Sequence, residues 1–203
     1  MIAVLDYGIG NLRSAEKALQ HVGADARLVS DPDDAAGASA VVLPGVGHFG
    51  RCMEALRSTG LDRVAEDAVG RGLPFLGICV GMQMLYEGSE EDPSTPGLGV
   101  LRGTVRLLPA EVKRPQMQWN QLQVQRPDDR LLAGLGTAPW VYFVHSYAPE
   151  LTDDVIATCD YGGPVAAVVG RGSLWATQFH PEKSSATGLH LMANFVRVVA
   201  SAR

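Results

Sequence analysis

The sequence is poor in cysteine, has no excess of basic residues and contains no long apolar run. Its three cysteines, Cys52, Cys79 and Cys159, form no Cys-x-x-Cys pair. A disulfide framework is therefore not expected, and a reducing cytoplasm suits the chain better. The net charge of −5 argues against a general nucleic-acid-binding protein. No stretch approaches the roughly 20 apolar residues of a membrane span, and the first residues lack the basic start of a signal peptide.

Hydrophobic residues make up 46% of the 203 residues and charged residues 19%, which is the balance of a globular protein with a buried core. At this length we expect one domain, over residues 1–203. The first half alternates short apolar runs with helical apolar stripes, and the second half consists mainly of short strand-like runs. This order predicts an α/β fold with a β-rich second half.

The expected strands are short apolar runs bounded by turn residues. They lie at residues 2–5, 26–29, 40–43, 104–108, 122–125, 141–144, 155–159, 165–169 and 174–179, with one more running from Pro74 toward Cys79. Apolar stripes at helical spacing predict helices over residues 12–22, 49–56, 61–69 and 189–199, and another from Cys79 to Tyr86. Cys52 and Cys159 are expected to be core residues. The acidic segment 87–93 and the polar segment 113–120 are expected to be loops.

One stretch combines a buried strand, a sharp turn and a helix around a potential nucleophile. Gly77-x-Cys79-x-Gly81 is the glycine-flanked elbow of hydrolases with a thiol at the nucleophile position. The strained corner needs glycine on both sides, because a Cβ there would collide with neighbouring backbone. The Cys79 sulfur would lie at a helix N-terminus, whose dipole favours thiolate, and the Val80 N–H would point toward an oxyanion. The alternative is a buried core cysteine between packing glycines.

A second pattern, Phe179-His180-Pro181-Glu182, offers a base for that nucleophile. Pro181 favours an extended conformation at His180, and residues two apart in an extended segment face the same way. The Glu182 carboxylate would then fix the tautomer of His180. Cys79, His180 and Glu182 are therefore a candidate triad of nucleophile, base and orienting group. The other histidines, His21, His48, His145 and His190, have no such neighbours.

Two glycine-rich turns follow predicted strands. Gly8-x-Gly10 lacks the third glycine of a dinucleotide fingerprint and the lysine of a P-loop, so we interpret it as a tight strand-to-helix turn. In the second turn, Gly45 and Gly47 flank Val46, and this backbone can change the orientation of a peptide at little cost. That turn should lie beside the elbow. It is either a simple turn or the source of a second oxyanion donor.

Nearly the whole chain resembles the class I, triad-type glutamine amidotransferases, and within them the family of glutaminase subunits of imidazole glycerol phosphate synthase. The elbow and the His-Pro-Glu run carry the resemblance, together with residues 6–12, 43–49 and 145–147. It implies a flavodoxin-like α/β fold with a mixed, mostly parallel central sheet and helices on both faces. One departure is the run at residues 116–120, Gln-Met-Gln-Trp-Asn, where the family has a run like His-Met-Gly-Trp-Asn. Gln118 in place of glycine bears on the geometry near Trp119 and not on the triad.

The resemblance also implies a reaction. Cys79 would attack the side-chain amide of glutamine and form a γ-glutamyl thioester. His180, held by Glu182, would pass the thiol proton to the departing ammonia and then activate water. The implied oxyanion donors are the amides of Val46 and Val80. The implied glutamine contacts are Gly47, Gln83, His145, Ser146 and Tyr147. No metal or organic cofactor is implied.

The acceptor of the ammonia is expected on another polypeptide, because the elbow, the triad and the sheet use nearly all of the chain. The resemblance implies a heterodimer with a cyclase subunit, a (β/α)8 barrel that uses ammonia in histidine biosynthesis to make imidazole glycerol phosphate and an aminoimidazole carboxamide ribotide. Asn11, Trp119 and Lys183 are the predicted interface residues, although Lys183 is equally explained as a solvated charge. Because free ammonia would be wasted, we expect the Val46 peptide to turn into the oxyanion hole only when the partner is loaded.

Three other functions fit parts of the pattern. The glutaminase subunit of pyridoxal phosphate synthase has a similar size and triad, but it normally carries a Gly-Gly-Glu-Ser-like loop in place of residues 44–47. A γ-glutamyl hydrolase, or another cysteine hydrolase, would act without a partner. A non-catalytic regulatory or scaffolding subunit would have no need of an intact triad.

Overall fold

The strands of the computed structural model, which describes residues 1–202, form one large sheet and two small ones. In chain order they are β1 (Ile2–Leu5), β2 (Ala26–Val29), β3 (Ala40–Gly45), β4 (Phe75–Cys79), β5 (Gly88–Ser89), β6 (Asp92–Pro96), β7 (Thr104–Leu107), β8 (Gln116–Gln121), β9 (Gln123–Val124), β10 (Trp140–His145), β11 (Tyr147–Pro149), β12 (Val155–Asp160), β13 (Pro164–Arg171) and β14 (Leu174–Thr177). Arg203, the last residue of the expected 1–203 domain, lies outside the described residues.

The large sheet has the strand order β2-β1-β3-β4-β14-β13-β12-β9. The five strands from β2 to β14 are parallel, and the remaining neighbours pair antiparallel. The parallel strands are continuous apolar runs because both of their faces are covered. The two small sheets are the antiparallel pair β8–β10 and a four-stranded sheet in the order β11-β7-β5-β6.

The helices are α1 (Leu12–His21), α2 (Phe49–Ser58), α3 (Leu61–Gly70), the single turn α4 (Val80–Gln83) and α5 (Ser185–Ser201), with 3₁₀ turns at Pro32–Ala35 and Pro181–Lys183. They form two groups, because α1 packs with α5 and α2 packs with α3. The chain leaves β1 in one direction across the sheet and β3 in the other, so right-handed crossovers place these groups on opposite faces. No helix within the described residues is long and apolar enough to cross a membrane.

Four parallel strands end at the same edge of the sheet and define where a site can form. β1 leads into the Gly8 turn, β3 into the turn that holds Val46, β4 into Cys79 and β14 into the segment that holds His180. Carboxyl ends of parallel strands are where open α/β sheets bind ligands. The topology therefore brings together segments that are far apart in sequence.

Both expected loops were wrong. The acidic segment 87–93 contributes β5 and the start of β6, because its carboxylates bond to neighbouring groups in place of water. Glu90 pairs with Arg106 at 2.9 Å, and Glu91 accepts a hydrogen bond from the Phe49 N–H at 2.7 Å. The polar segment 113–120 contains most of β8, which pairs in full register with β10. Its side chains remain mostly exposed, so it lacks the apolar alternation of a half-buried strand.

Two further expectations need adjustment, and a third is met. Regular helix after Cys79 ends at Gln83, although Leu85 and Tyr86 are fully buried. In α5 the buried stripe is rotated from the expected one, and Leu189 and Val196 are only partly covered. Its buried residues are Gly188, Leu191, Met192, Asn194, Phe195, Val198 and Val199. Cys52 and Cys159 are fully buried, as expected of core residues.

Candidate active site

Cys79 occupies the corner between β4 and α4 in a conformation that few side chains adopt. Its φ of 56° and ψ of −112° place it in the positive-φ region despite its Cβ. The backbone is crowded on both sides of the corner. A Cβ on Gly81 would lie 1.8 Å from the Leu43 carbonyl oxygen, and a Cβ on Gly77 would lie 3.0 Å from the Gly81 oxygen. Only glycine therefore fits at residue 81.

His180 and Glu182 form a buried hydrogen-bonded pair. The His180 Nδ1 lies 2.7 Å from the Glu182 Oε1, and their side chains are 2% and 3% exposed. The expected geometry was wrong in one respect, because Glu182 lies in the 3₁₀ turn Pro181–Lys183 and not in an extended segment. His180 is the N-cap residue of this turn, and the turn still places the Glu182 carboxylate against the His180 imidazole. With Nδ1 bonded to the carboxylate, Nε2 is the nitrogen left for proton transfer.

The charge state of His180 depends on its two partners. Burial lowers the pKa of His180, but interactions with the side chains of Cys79 and Glu182 outweigh it and raise the pKa from 6.5 to about 9. The imidazolium form is therefore favoured at neutral pH while Cys79 and Glu182 are present. An imidazolium beside a cysteine is the arrangement that stabilises a thiolate nucleophile.

A cavity of about 390 Å³ opens beside Cys79. The sequence-predicted residues that line it are Asn11, Val46, Gly47, Cys79, Val80, Gln83, His145, Ser146, Tyr147, His180 and Lys183. Glu182 is not part of the lining and bonds to His180. Trp119 is not part of the lining either; it is 44% exposed on β8. A larger cleft of about 870 Å³ between α2 and β6 is lined by charged and small polar side chains and contains none of the predicted site residues.

Polar side chains in the cavity are held by a network around Gln83. Its Nε2 donates to the Tyr147 carbonyl oxygen at 2.9 Å and to the Gln178 Oε1 at 3.1 Å. The Gln178 Nε2 in turn lies 3.7 Å from the Cys79 sulfur. Gln178 was not predicted as a site residue. The sequence did offer an indication that Gln178 lies at the site, because it is two residues before His180 and directly follows a strand that pairs with β4.

His145 is kept neutral. Burial lowers its pKa to about 4, the hydrogen bond with the Tyr147 carbonyl opposes this, and the charge of His180 adds to it. Its Nδ1 lies 2.9 Å from that carbonyl oxygen, so Nδ1 carries the proton and Nε2 is an acceptor. The buried Nε2 has no hydrogen-bond partner among residues 1–202. His145 therefore keeps an unpaired acceptor nitrogen within the described chain.

Glu91 is a cavity residue that sequence analysis missed, together with Pro115 and Val144. Its carboxylate accepts a hydrogen bond from the Phe49 N–H, the first residue of α2, at 2.7 Å. It is the only carboxylate in the cavity lining of the described chain. The sequence alone could not show which of the three acidic residues 90–92 reaches the cavity, because the structure gives each of their carboxylates a different partner.

The two residues predicted to supply oxyanion donors, Val46 and Val80, both line the cavity. The Val41 N–H donates to the Pro74 oxygen at 3.0 Å, and the β3–β4 register continues to Gly45 opposite Cys79.

Within residues 1–202 no group of three or more His, Cys, Asp or Glu side chains is arranged to hold a metal ion. A thiol on a strained corner, an imidazole bonded to a carboxylate and an amide network suit acyl transfer from a small polar substrate.

Comparison with known proteins identifies close sequence relatives. The family described as glutamine amidotransferase class-I matches residues 3–199. The chain is 49% identical to the imidazole glycerol phosphate synthase subunit HisH of Deinococcus radiodurans, covering 99% of this chain and 95% of that protein. It is 48% identical to the subunit of the same name from Salinibacter ruber, covering 96% and 93%.

Two solved structures have the same fold. One described as a crystal structure of glutamine amidotransferase matches with a TM-score of 0.78 and 24% identity over 98% of both chains. A chain of PurLQS from Thermotoga maritima matches with a TM-score of 0.75 and 20% identity, over 98% of this chain and 97% of that one. The predicted fold class, a mixed and mostly parallel α/β sheet of this type, is confirmed.

Proposed function

Because this chain belongs to the class-I glutamine amidotransferase family, we propose that it is the glutaminase subunit of an imidazole glycerol phosphate synthase. It hydrolyses glutamine to glutamate and ammonia and passes the ammonia to a partner cyclase. The observation that carries this proposal is the strained Cys79 corner, which shares one cavity with His180, whose imidazole is hydrogen-bonded to Glu182. The chain is 49% identical to the HisH subunit of Deinococcus radiodurans over 99% of its own length, and this similarity supports the choice of synthase.

The reaction proceeds in two halves. The Cys79 thiolate attacks the side-chain amide carbon of glutamine, and the resulting tetrahedral intermediate collapses to a γ-glutamyl thioester. The His180 imidazolium gives its proton to the departing nitrogen, which leaves as ammonia. Neutral His180 then takes a proton from water, the hydroxide attacks the thioester, and glutamate and the thiolate are regenerated. Glu182 holds the imidazole in the tautomer that both proton transfers need.

The cavity lining suits the two polar ends of glutamine. The Glu91 carboxylate is a counter-ion for the α-ammonium group. Gln83, Gly47 and the backbone of residues 145–147 surround the rest of the substrate. The unpaired His145 Nε2 is an acceptor for an amide N–H. The Val80 N–H and, after rotation of its peptide, the Val46 N–H bind the oxyanion.

The partner docks on an exposed apolar ridge, which we define as Met117, Trp119 and Trp140. These side chains are 62%, 44% and 52% exposed. The β8–β10 register places them on one face, since Trp119 lies opposite Tyr142 and Trp140 opposite Gln121. The same face continues to Val144, which lines the cavity. A partner seated there would cover the cavity mouth, where Asn11 and Lys183 lie.

The proposed assembly is a heterodimer with a (β/α)8-barrel cyclase. This chain contributes one domain, over residues 1–203, to that heterodimer. A reducing cytoplasm suits three cysteines that are all free and buried. The glutaminase of pyridoxal phosphate synthase is disfavoured by the HisH relatives. A non-catalytic subunit is disfavoured by the intact geometry around Cys79.

The test is to co-purify the chain with the cyclase of the same cells and follow glutamate release and ammonia transfer. Cys79→Ala should abolish both, whereas Cys159→Ala, which removes another buried thiol, should abolish neither. A diazo-ketone glutamine analogue should label Cys79 alone. Equal labelling of wild type and Cys79→Ala would refute the proposal, and so would activity that needs no partner to reach its full rate.

A further inference from the structure

Two buried side chains hold backbone carbonyls on either side of the Gly45–Val46 peptide. The Tyr7 hydroxyl donates a hydrogen bond of 2.6 Å to the Pro44 oxygen. The Cys52 thiol donates one of 3.3 Å to the Val46 oxygen. These oxygens belong to the peptides before and after the one that joins Gly45 to Val46. The peptide between them carries the Val46 N–H.

Tyr7 and Cys52 also contact each other and are kept as hydrogen donors. Burial raises the pKa of the Cys52 thiol to about 11. Burial likewise raises the pKa of Tyr7 well above its usual value. The two side chains are 3% and 0% exposed, and neither lines the cavity beside Cys79. Their effect on the reaction must therefore pass through the loop that they hold.

The central peptide can rotate while its neighbours stay fixed. Such a rotation changes only ψ of Gly45 and φ of Val46 and leaves the flanking Cα atoms in place. Gly45 is suited to it, because it lacks the Cβ that would lie 2.7 Å from the Gly81 nitrogen and 3.0 Å from the Tyr7 hydroxyl. A loop without the two anchors could instead move as a whole and carry Val46 out of line with Val80.

We propose that Tyr7 and Cys52 are positioning residues that confine rearrangement of this loop to the single Gly45–Val46 peptide. This inference rests on the proposed glutaminase function. With both anchors in place, one rotation brings the Val46 N–H beside the Val80 N–H. Without them, the loop samples orientations in which only one donor reaches the oxyanion.

The test compares Tyr7→Phe and Cys52→Ala with wild type in complex with the cyclase and its acceptor nucleotide. Turnover of glutamine should fall at least tenfold while KM stays within about twofold, because the anchors serve the intermediate and not the bound substrate. Deleting an oxyanion donor outright costs about 10²–10³-fold, so a misplaced one should cost a part of that. Cys52→Ser, whose hydroxyl also donates, should recover most of the rate.

Matched controls are available for both changes. Tyr86→Phe removes a fully buried hydroxyl that has no hydrogen-bond partner within residues 1–202, and Cys159→Ala removes a fully buried thiol elsewhere in the core. Alkylation of Cys79 by iodoacetamide needs no oxyanion hole and should proceed at the wild-type rate in every variant. Mass spectrometry of the labelled peptide reports it independently of turnover.

The inference fails if the two variants turn over glutamine like their controls, if KM rises while kcat holds, or if alkylation slows in parallel with turnover. Should Tyr7→Phe not fold, the Cys52→Ala and Cys52→Ser pair decides alone. An inactive wild-type complex would refute the proposed function itself. An active one with unaffected variants would refute only the role of the anchors.

Discussion

Ser184 ties the backbone of His180 to β10. Its hydroxyl donates to the His180 carbonyl oxygen at 2.7 Å and accepts from the Tyr142 N–H at 3.0 Å. The His180 N–H donates back to the Tyr142 oxygen at 3.1 Å. The proposed base is therefore fixed to the strand that carries part of the apolar ridge.

Ser184→Ala should lower both stability and turnover. It leaves the Tyr142 N–H without its acceptor in a buried site, at a cost of about 1–3 kcal/mol in the free energy of unfolding. Because His180 loses a tether, kcat should fall several-fold with KM unchanged. Urea denaturation and steady-state kinetics measure the two effects. Ser58→Ala, which removes an exposed hydroxyl bonded to the Ala55 carbonyl, should change neither.

The protonation of His180 should report on its two neighbours. In the wild type the imidazolium should persist through neutral pH and be lost as the pH rises through about 9. Cys79→Ala and Glu182→Gln each remove an interaction that raises the pKa, so both should move the midpoint to lower pH. With both removed, burial alone remains, and the pKa of His180 should fall below 6.5. Titration by ¹⁵N NMR of the imidazole measures this, and an unchanged midpoint in both variants would contradict it.

Glu91→Gln should weaken glutamine binding without altering the chemical step. The amide oxygen can still accept from the Phe49 N–H, but the charge opposite the α-ammonium is lost. Hydrogen bonds to charged groups contribute about 1.5–3 kcal/mol, which corresponds to a rise in KM of roughly tenfold or more. Glu90→Gln, an exposed neighbour paired with Arg106, is the control. A fall in kcat with normal KM would place Glu91 in another role.

Trp119→Ala should loosen the complex with the cyclase. Buried tryptophans at interfaces commonly contribute about 2 kcal/mol or more, so Kd should rise roughly thirtyfold. Alkylation of Cys79 in the free subunit should be unaffected, because Trp119 does not line the cavity. Leu151→Ala, at an exposed apolar residue outside the ridge, should leave Kd unchanged. Titration calorimetry distinguishes the two surfaces.

The Val46 peptide should make glutaminase turnover depend on the loaded partner. We expect slow turnover by the subunit alone, faster turnover with the cyclase, and the fastest with cyclase and acceptor ligand. The reason is that ammonia released without a loaded partner would be wasted, so the Val46 peptide should complete the oxyanion hole only in the loaded complex. Equal rates in the three conditions would show that no such rearrangement limits the reaction.

Strands of the parallel core were predictable, because a strand covered on both faces is an uninterrupted apolar run. The expected ranges 2–5 and 26–29 match β1 and β2 residue for residue. The residue types at the Cys79 corner were likewise readable, since steric crowding leaves glycine as the only choice at residue 81. The α/β fold was predicted and is confirmed.

Elements held by polar contacts were not predictable. β8 is an exposed strand whose order comes from pairing with β10, so its sequence shows no buried face. Glu91 gains its place in the cavity through a hydrogen bond to residue 49, a contact 42 positions away in sequence. The 3₁₀ turn at Glu182 was hidden because a proline is compatible with both an extended and a helical continuation.

β14 lies next to β4, with Ala176 opposite Gly77 and Thr177 opposite Ile78. Neighbouring strands are separated by about 4.8 Å whatever their side chains. The ladder fixes Cys79 relative to the end of β14, and hydrogen bonds to Tyr142 and Ser184 hold His180 three residues beyond that end. Activation by another subunit is therefore expected to act on the backbone of the turn after β3, which lies on the other side of β4.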